Sequence, residues 1–181
     1  MSSKSQSPYL LNLHELPRRA GEMRQYHLDF PAPDAIGIPL LEIPKGALVN
    51  IDLRAESVSD GVLLTGEIKS KSKGECGRCL AEIGGEVSER FQELFAYESR
   101  ATHDAPDDED EDLLVLDGDI ADLEGPIRDA VILAMPINPL CRADCPGLCS
   151  ECGERWDQLD PTHSHVKFDP RWSGLAGWQG E

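Results

Sequence analysis

The residues of this 181-residue chain with the clearest chemistry are its six cysteines and two of its five histidines. The cysteines read Cys76-Gly-Arg-Cys79, then Cys141, Cys145, Cys149 and Cys152, the last followed by Gly153. Two residues between thiolates let one tight turn grip one metal ion, because a glycine permits the bend and free amides hydrogen-bond the sulfurs. Cys76/Cys79 and Cys149/Cys152 both have this knuckle form, and with Cys141-x3-Cys145 they point to zinc. Tetrahedral zinc takes four ligands, and six is not a multiple of four. His163 and His165 follow the last cysteine on a segment bent by Pro161, and they raise the ligand count to eight, enough for two Zn2+ ions.

Two divisions of the eight follow from spacing. The preferred one places Cys76, Cys79, Cys141 and Cys145 on one ion and Cys149, Cys152, His163 and His165 on the other, since the second set is compact enough to close a local ribbon. The rival joins the two knuckles, Cys76, Cys79, Cys149 and Cys152, and leaves Cys141 and Cys145 to the histidines. A solvated tail is the alternative for His163 and His165. Either division gives closed four-ligand sets, which scaffold; a catalytic zinc keeps a position open for water and a carboxylate base nearby. Neither cluster carries a His-x-Glu or His-Glu-x-x-His arrangement, so no catalytic residue is expected and the chain reads as a non-enzyme without a small-molecule substrate.

The elements that position these ligands read as an α+β fold: an antiparallel β-sheet, one packed helix and a C-terminal zinc-ribbon-like module. Strand signals cover Leu10 to Leu13, Arg24 to Phe30, Ala47 to Val58, Val62 to Ile68 and Ile83 to Tyr97. Val49, Ile51 and Leu53 alternate with Asn50 and Asp52, and Ser59-Asp60-Gly61 offers a hairpin turn. Asp119 to Met135 reads as a helix with Asp122 as N-cap and Pro126 in the first turn, ended by Pro136 and Pro139. Leu113 to Leu116 has the character of a short strand. In domain terms, residues 1–98 form a β-rich part with the first knuckle, 99–112 an acidic disordered linker, 113–140 a strand and helix on the sheet, 141–169 the Cys/His module, and 170–181 a tail.

Composition sets the surroundings. Lys and Arg number 17 against 34 Asp and Glu, a formal net charge of −17. The excess concentrates in residues 99–140, with 2 basic and 12 acidic side chains, chiefly the run Asp104 to Asp112. Such a run repels itself and buries little, hence the disordered spacer, with a lure for a basic partner as the sharper reading. No stretch approaches the ~18 apolar residues of a membrane span, and the start lacks the centre of a secretion signal, so the chain is expected to be cytoplasmic. In a reducing compartment closely spaced cysteines favour metal over disulfides.

At Glu75-Cys76-Gly-Arg-Cys79-Leu80, the acidic linker, Asp119-to-Met135 with Pro136-Ile-Asn-Pro139-Leu-Cys141, and Cys145-Pro-Gly-Leu-Cys149-x2-Cys152-Gly153, the sequence resembles the YceD-like family, the large ribosomal RNA subunit accumulation proteins of bacteria and plastids. The resemblance runs from about residue 30 to 172, and the ending Asp169-Pro-Arg-Trp172 is similar to high-GC Gram-positive members. It implies a non-enzymatic role in synthesis, processing or stability of large-subunit ribosomal RNA, with ribosomal RNA or a pre-ribosomal particle as partner. Relatives differ in the cysteines after the helix, and His163-x-His165 stands where some close the second site with Cys-x-Cys.

A −17 chain is a poor general binder of phosphate. The local exception is Lys69, Lys71 and Lys73, which alternate with serines and on a strand project from one face beside Arg78. These four are the RNA-contact candidates, set against an ordinary solvated strand face. Two readings therefore stand: a ribosome-assembly factor touching RNA there while its acidic linker engages a basic ribosomal protein, or a zinc-stabilised protein-interaction module without nucleic-acid contact, anchored by Trp172, Leu175 and Trp178.

Overall fold

The computed structural model describes residues 7–97, 113–165 and 171. The expected acidic linker at 99–112, the anchor candidates Trp172, Leu175 and Trp178, and most of the tail lie outside the described residues. Within them the fold is α+β: antiparallel strands with one α-helix.

The framework is a long hairpin. Strand β6 (Gly61–Glu75) and strand β7 (Glu82–Ala96) pair antiparallel over their whole length, from Gly61 opposite Ala96 to Glu75 opposite Glu82. On its other edge β6 pairs first with β5 (Leu48–Ser57), through Val62 to Lys69, and farther along with β4 (Leu41–Ile43), at Lys73 and Gly74. Strand β2 (Met23–Pro31) covers β5, and β3 (Ile36–Ile38) covers β4, which completes a six-stranded sheet. Strands β1 (Leu10–Asn12) and β8 (Ile120–Asp122) form a separate two-stranded ribbon.

The period-2 pattern decides which face is buried. Val49, Ile51, Leu53 and Ala55 of β5 and Val62, Leu64, Gly66 and Ile68 of β6 turn inward and are buried, while the residues between them face solvent or are partly exposed. Helix α1 (Glu124–Ala134) packs against β7 and β3 and closes the same core with Ile127 and Val131, one turn apart and fully buried, joined by Leu123 and Met135 at its ends. Of its described residues, no helix is long and apolar enough to cross a membrane.

The helix is shorter than its apolar pattern. Residues Ile120–Asp122, read as its first turn, are instead β8, because pairing with Leu10–Asn12 satisfies their backbone groups. Leu123 occupies the N-cap without a side-chain cap, yet the Asp122 carboxylate accepts a 3.0 Å hydrogen bond from the Glu124 amide, a capping role one residue early. Leu113 to Leu116 makes only an isolated parallel bridge, Val115 to Ala96. The hairpin turn stands as read, with the Val58 amide bonded to the Gly61 carbonyl at 2.9 Å. Strands β3 and β4 come from a Pro- and Gly-punctuated stretch in which three-residue strands give no usable period.

Candidate metal centres

The connection between β6 and β7 is the first knuckle. The Cys76 amide bonds the Ala81 carbonyl at 2.8 Å and the Leu80 amide bonds the Cys76 carbonyl at 3.0 Å, closing a turn in which Leu80 takes φ +55°, a left-handed value unusual for a branched residue. The knuckle thus caps a hairpin of paired fifteen-residue strands, which fixes its place and direction.

The partner segment arrives from the end of α1. After the helix stops at Pro136, the Pro139 carbonyl accepts the Gly77 amide at 2.8 Å. A Cβ at position 77 would lie 2.1 Å from Asn138 Oδ1, so any larger residue there has to turn that exposed side chain aside. This brings Cys141 to the knuckle. A turn bonding the Cys145 amide to the Arg142 carbonyl at 3.1 Å returns Cys145 to the same point, and Arg78 donates to the Cys145 carbonyl at 3.0 Å.

The four sulfurs of Cys76, Cys79, Cys141 and Cys145 all lie within 4.8 Å of one another, with Cys76 Sγ 3.8 Å from Cys145 Sγ and Cys79 Sγ 3.7 Å from Cys141 Sγ. A tetrahedron with metal–sulfur bonds of about 2.3 Å has edges of about 3.8 Å. Cys76, Cys79 and Cys145 are buried, and Ala81, Ile83, Leu140 and Leu148 pack around them.

The second group is local. The Cys149 amide bonds the Glu154 carbonyl at 2.7 Å and the Gly153 amide bonds the Cys149 carbonyl at 2.9 Å, with Gly153 at φ +75° to make the bend. Leu148 and Arg155 bridge antiparallel, so the knuckle sits on a minimal ribbon. A turn at Asp160, whose carboxylate accepts the Thr162 amide and whose carbonyl accepts the His163 amide, both at 2.8 Å, swings the histidines back. Cys149 Sγ lies 3.2 Å from His165 Nε2 and Cys152 Sγ 3.6 Å from His163 Nε2, around the roughly 3.5 Å edge of a tetrahedral site with mixed sulfur and nitrogen ligands. The Trp156 ring stands edge-on to His163 at 5.6 Å. Cys152 and His165 are exposed, so this centre is more open than the first.

The groups therefore divide as the preferred spacing argument has it, and the rival that joins the two knuckles does not hold. His163 and His165 are both brought to cysteines, His163 half-buried and His165 still exposed.

The thiol chemistry within each group is uneven. Burial raises the Cys76 thiol, but the amides of Arg78, Cys141 and Cys79 outweigh it and bring it down to about 6. The amides of Cys152 and Glu151 lead in bringing Cys149 down to about 6. Cys141 is pushed up to about 12, first by its contact with Cys145 and then by burial, and burial leads in raising Cys145. Crowded thiols resist ionising together unless a cation shares their charge, and a divalent metal supplies that cation. Arg155 belongs to this balance. Burial disfavours its charge, yet Asp157 and the thiols of Cys79 and Cys141 outweigh that effect and hold its pKa up, which links the second ribbon to the first centre. Spacing arguments miss Arg155, for no pattern of residue types marks it.

The RNA-contact candidates lie where alternation puts them. Lys69, Lys71 and Lys73 are exposed on the outer face of β6, while the Ser70 hydroxyl turns in and donates to the Leu48 carbonyl at 2.8 Å. They are not equivalent. Lys69 pairs with Glu67 at 2.9 Å and Asp52 at 3.8 Å, Lys73 approaches Glu82 at 3.8 Å, and Arg78 serves the Cys145 carbonyl, which leaves Lys71 without an ion pair among the described residues.

His27, far from the cysteines in the sequence, has its own partners on the same outer face. Its Nδ1 lies 2.7 Å from Asp52 and its Nε2 2.9 Å from Asp29, and these two hydrogen bonds, Asp52 first, raise its pKa.

Uncharacterized proteins of Mycobacterium tuberculosis (strain ATCC 25618 / H37Rv) and Mycobacterium leprae (strain TN) are 46% and 41% identical over 174 and 170 residues, covering 96% and 94% of this chain and 83% and 77% of theirs. An uncharacterized protein of Bacillus subtilis (strain 168) is 22% identical over 125 residues, 68% of this chain and 67% of its own. No solved structure is significantly similar. The model of the large ribosomal RNA subunit accumulation protein YceD matches residues 64–178, from the middle of β6 through both Cys/His groups, and the chain belongs to that family.

Proposed function

We propose that this protein is a cytoplasmic, non-enzymatic factor that holds two Zn2+ ions as structural staples and supports the accumulation of large-subunit ribosomal RNA from within a pre-ribosomal particle. One observation carries the reading: four thiols from two segments more than 60 residues apart, at the tip of the sheet's longest hairpin and after the helix, converge at tetrahedral spacing. A four-thiolate set fills a tetrahedral ion and leaves no position for substrate or water, so its chemistry is cross-linking. The role in ribosomal RNA accumulation is supported by the family to which the chain belongs.

Within that role we favour contact with a basic protein of the particle over contact with RNA. Phosphate binding draws on unpaired cations. Of the four candidates two are engaged by carboxylates and Arg78 by a carbonyl. Lys71 alone supports the RNA reading. Deleting the gene and comparing large- with small-subunit ribosomal RNA tests the function: a fall in the large-subunit species, restored by the parent and not by Cys79→Ser, is expected, and an unchanged ratio refutes it. Elemental analysis of the purified protein distinguishes zinc from iron, which also suits four thiolates.

A further inference from the structure

We propose that the outer edge of β7 is a docking site for an extended, lysine- or arginine-rich segment of a partner protein, which adds to the sheet as a further strand. This rests on the reading that a basic protein of the pre-ribosomal particle is the partner, and it names the surface that receives it.

The backbone points the way. Ala96 uses its amide to bond the Leu114 carbonyl at 2.8 Å and its carbonyl to accept the Leu116 amide at 3.0 Å, whereas the Tyr97 amide turns to Asp60, at the start of β6. Backbone groups alternate along a strand. Those of Leu94, Gln92, Arg90, Ser88, Glu86, Gly84 and Glu82 therefore point the same way as those of Ala96, away from β6. Among the described residues no strand pairs with this edge before Ala96. Among the described residues it offers about 40 Å of unpaired donors and acceptors. An exposed edge of that length is a template for strand addition.

Charge selects the guest. Strand β7 carries Glu82, Glu86, Glu89 and Glu93 against Arg90, a net charge of −3, and Arg90 faces Glu67 at 3.7 Å. Glu86, Glu89 and Glu93 have no ion pair among the described residues. Glu89 and Glu93 lie on the inward side of the strand, half-buried on either side of buried Phe91. An apolar strand laid there would desolvate two carboxylates without partners, and a second β7 would set glutamates against glutamates. A basic strand alone places opposite charges at cross-strand distance, so the features that repel other strands define the one accepted. The sheet's other long edge, β2, has one arginine and one aspartate and ends at Pro31, and it carries no such preference.

The probe is a fluorescent peptide of about twelve residues, alternating Lys and Thr, titrated into the metal-loaded full chain at physiological salt with anisotropy as the readout. Its comparison peptide is methylated on alternate backbone nitrogens, which keeps the charge and removes the strand hydrogen bonds. Saturable binding that weakens about tenfold or more on methylation is expected, as is a similar loss with Gln92→Pro, which removes one outward amide and spares the β6 ladder. Glu89→Lys with Glu93→Lys should abolish binding. Equal binding of both peptides, no binding, or binding indifferent to charge reversal overturns the proposal. The methylated peptide needs no altered protein, so a misfolded variant cannot obscure the answer. A negative result leaves the ribosomal RNA phenotype and the metal content standing, and a normal RNA ratio on gene deletion leaves peptide binding standing, so the two failures are distinguishable.

Discussion

Replacing Cys79 with serine tests the cross-link itself, and its size follows from chain length. With a metal bound as proposed, the first group would tie Cys79 to Cys141 across 62 residues, whereas the second would close Cys149 to His165 across 16. In the chain-entropy treatment of a covalent cross-link, the longer loop restricts the unfolded chain by about 4 kcal/mol and the shorter by about 3 kcal/mol. The larger difference lies in what each loop encloses. The first holds β7, β8 and α1 to the sheet, while the second holds only its own ribbon. Cys79→Ser should therefore release the segment after the helix and lower stability by about 4 kcal/mol, which for a chain of this size is roughly 8 to 16 °C in Tm. Cys152→Ser should melt only the terminal ribbon and leave the main transition within a few degrees. Scanning calorimetry of the metal-loaded parent and both variants, with circular dichroism of a chelator-treated sample, reads this directly. If Cys152→Ser lowers the main transition as far as Cys79→Ser, or if a chelator strips the bound ions without moving the melting curve, the centres are not the staples described here.

Further outcomes are sharp enough to check. Cys149→Ser should reduce bound metal from two equivalents to one in elemental analysis, because its partners Cys152, His163 and His165 serve one ion only. Gly77→Ala should cost only about 0.5 kcal/mol or less in urea unfolding, since the new Cβ meets just the Oδ1 end of the exposed Asn138 side chain, which can turn aside; a loss of several kcal/mol would show that Asn138 is fixed in place. His27 gains two carboxylate partners on folding and its pKa rises, so the stability it contributes is full below its unfolded value near 6.5 and is lost as pH climbs through the raised folded value. His27→Gln should flatten that part of the pH–stability curve above about pH 6.5, and an unchanged curve rejects the assignment. Lys69, Lys71 and Lys73 changed together to Glu should leave RNA co-purification unaltered if protein contact dominates.

The two Cys/His groups were readable in the sequence because metal chemistry imposes a spacing and a count that nothing else in the chain imitates. A knuckle needs two residues and a glycine, and a tetrahedral ion needs four donors, so eight residues sorted themselves with few alternatives. The long strands were readable for a similar reason: Val49, Ile51 and Leu53 can alternate only with one face buried. What stayed hidden is set by partners rather than by period. Ile120 to Asp122 looks helical in isolation and becomes a strand because Leu10 to Asn12 lies beside it, and β3 and β4 are too short to show alternation. Lys69 and Lys73 read as a basic stripe until the register brings Glu67, Asp52 and Glu82 within reach.

That register also explains how the tip that carries the first Cys group can matter to the strand edge beyond it. The β6–β7 hairpin is paired along its full length and fixed at both ends, by Asp60 and the Ala96–Val115 bridge at one and by the first Cys group at the other. An isolated hairpin is marginal in water, and an edge strand that frays presents no template. Pinning Cys76 and Cys79 holds Glu82 and the strand beyond it straight against β6, so stripping the first ion should weaken strand docking along β7 even though no metal ligand lies on that edge. Removal of the second ion alone, by Cys149→Ser, should leave docking intact, because the ribbon it closes shares no strand with the hairpin.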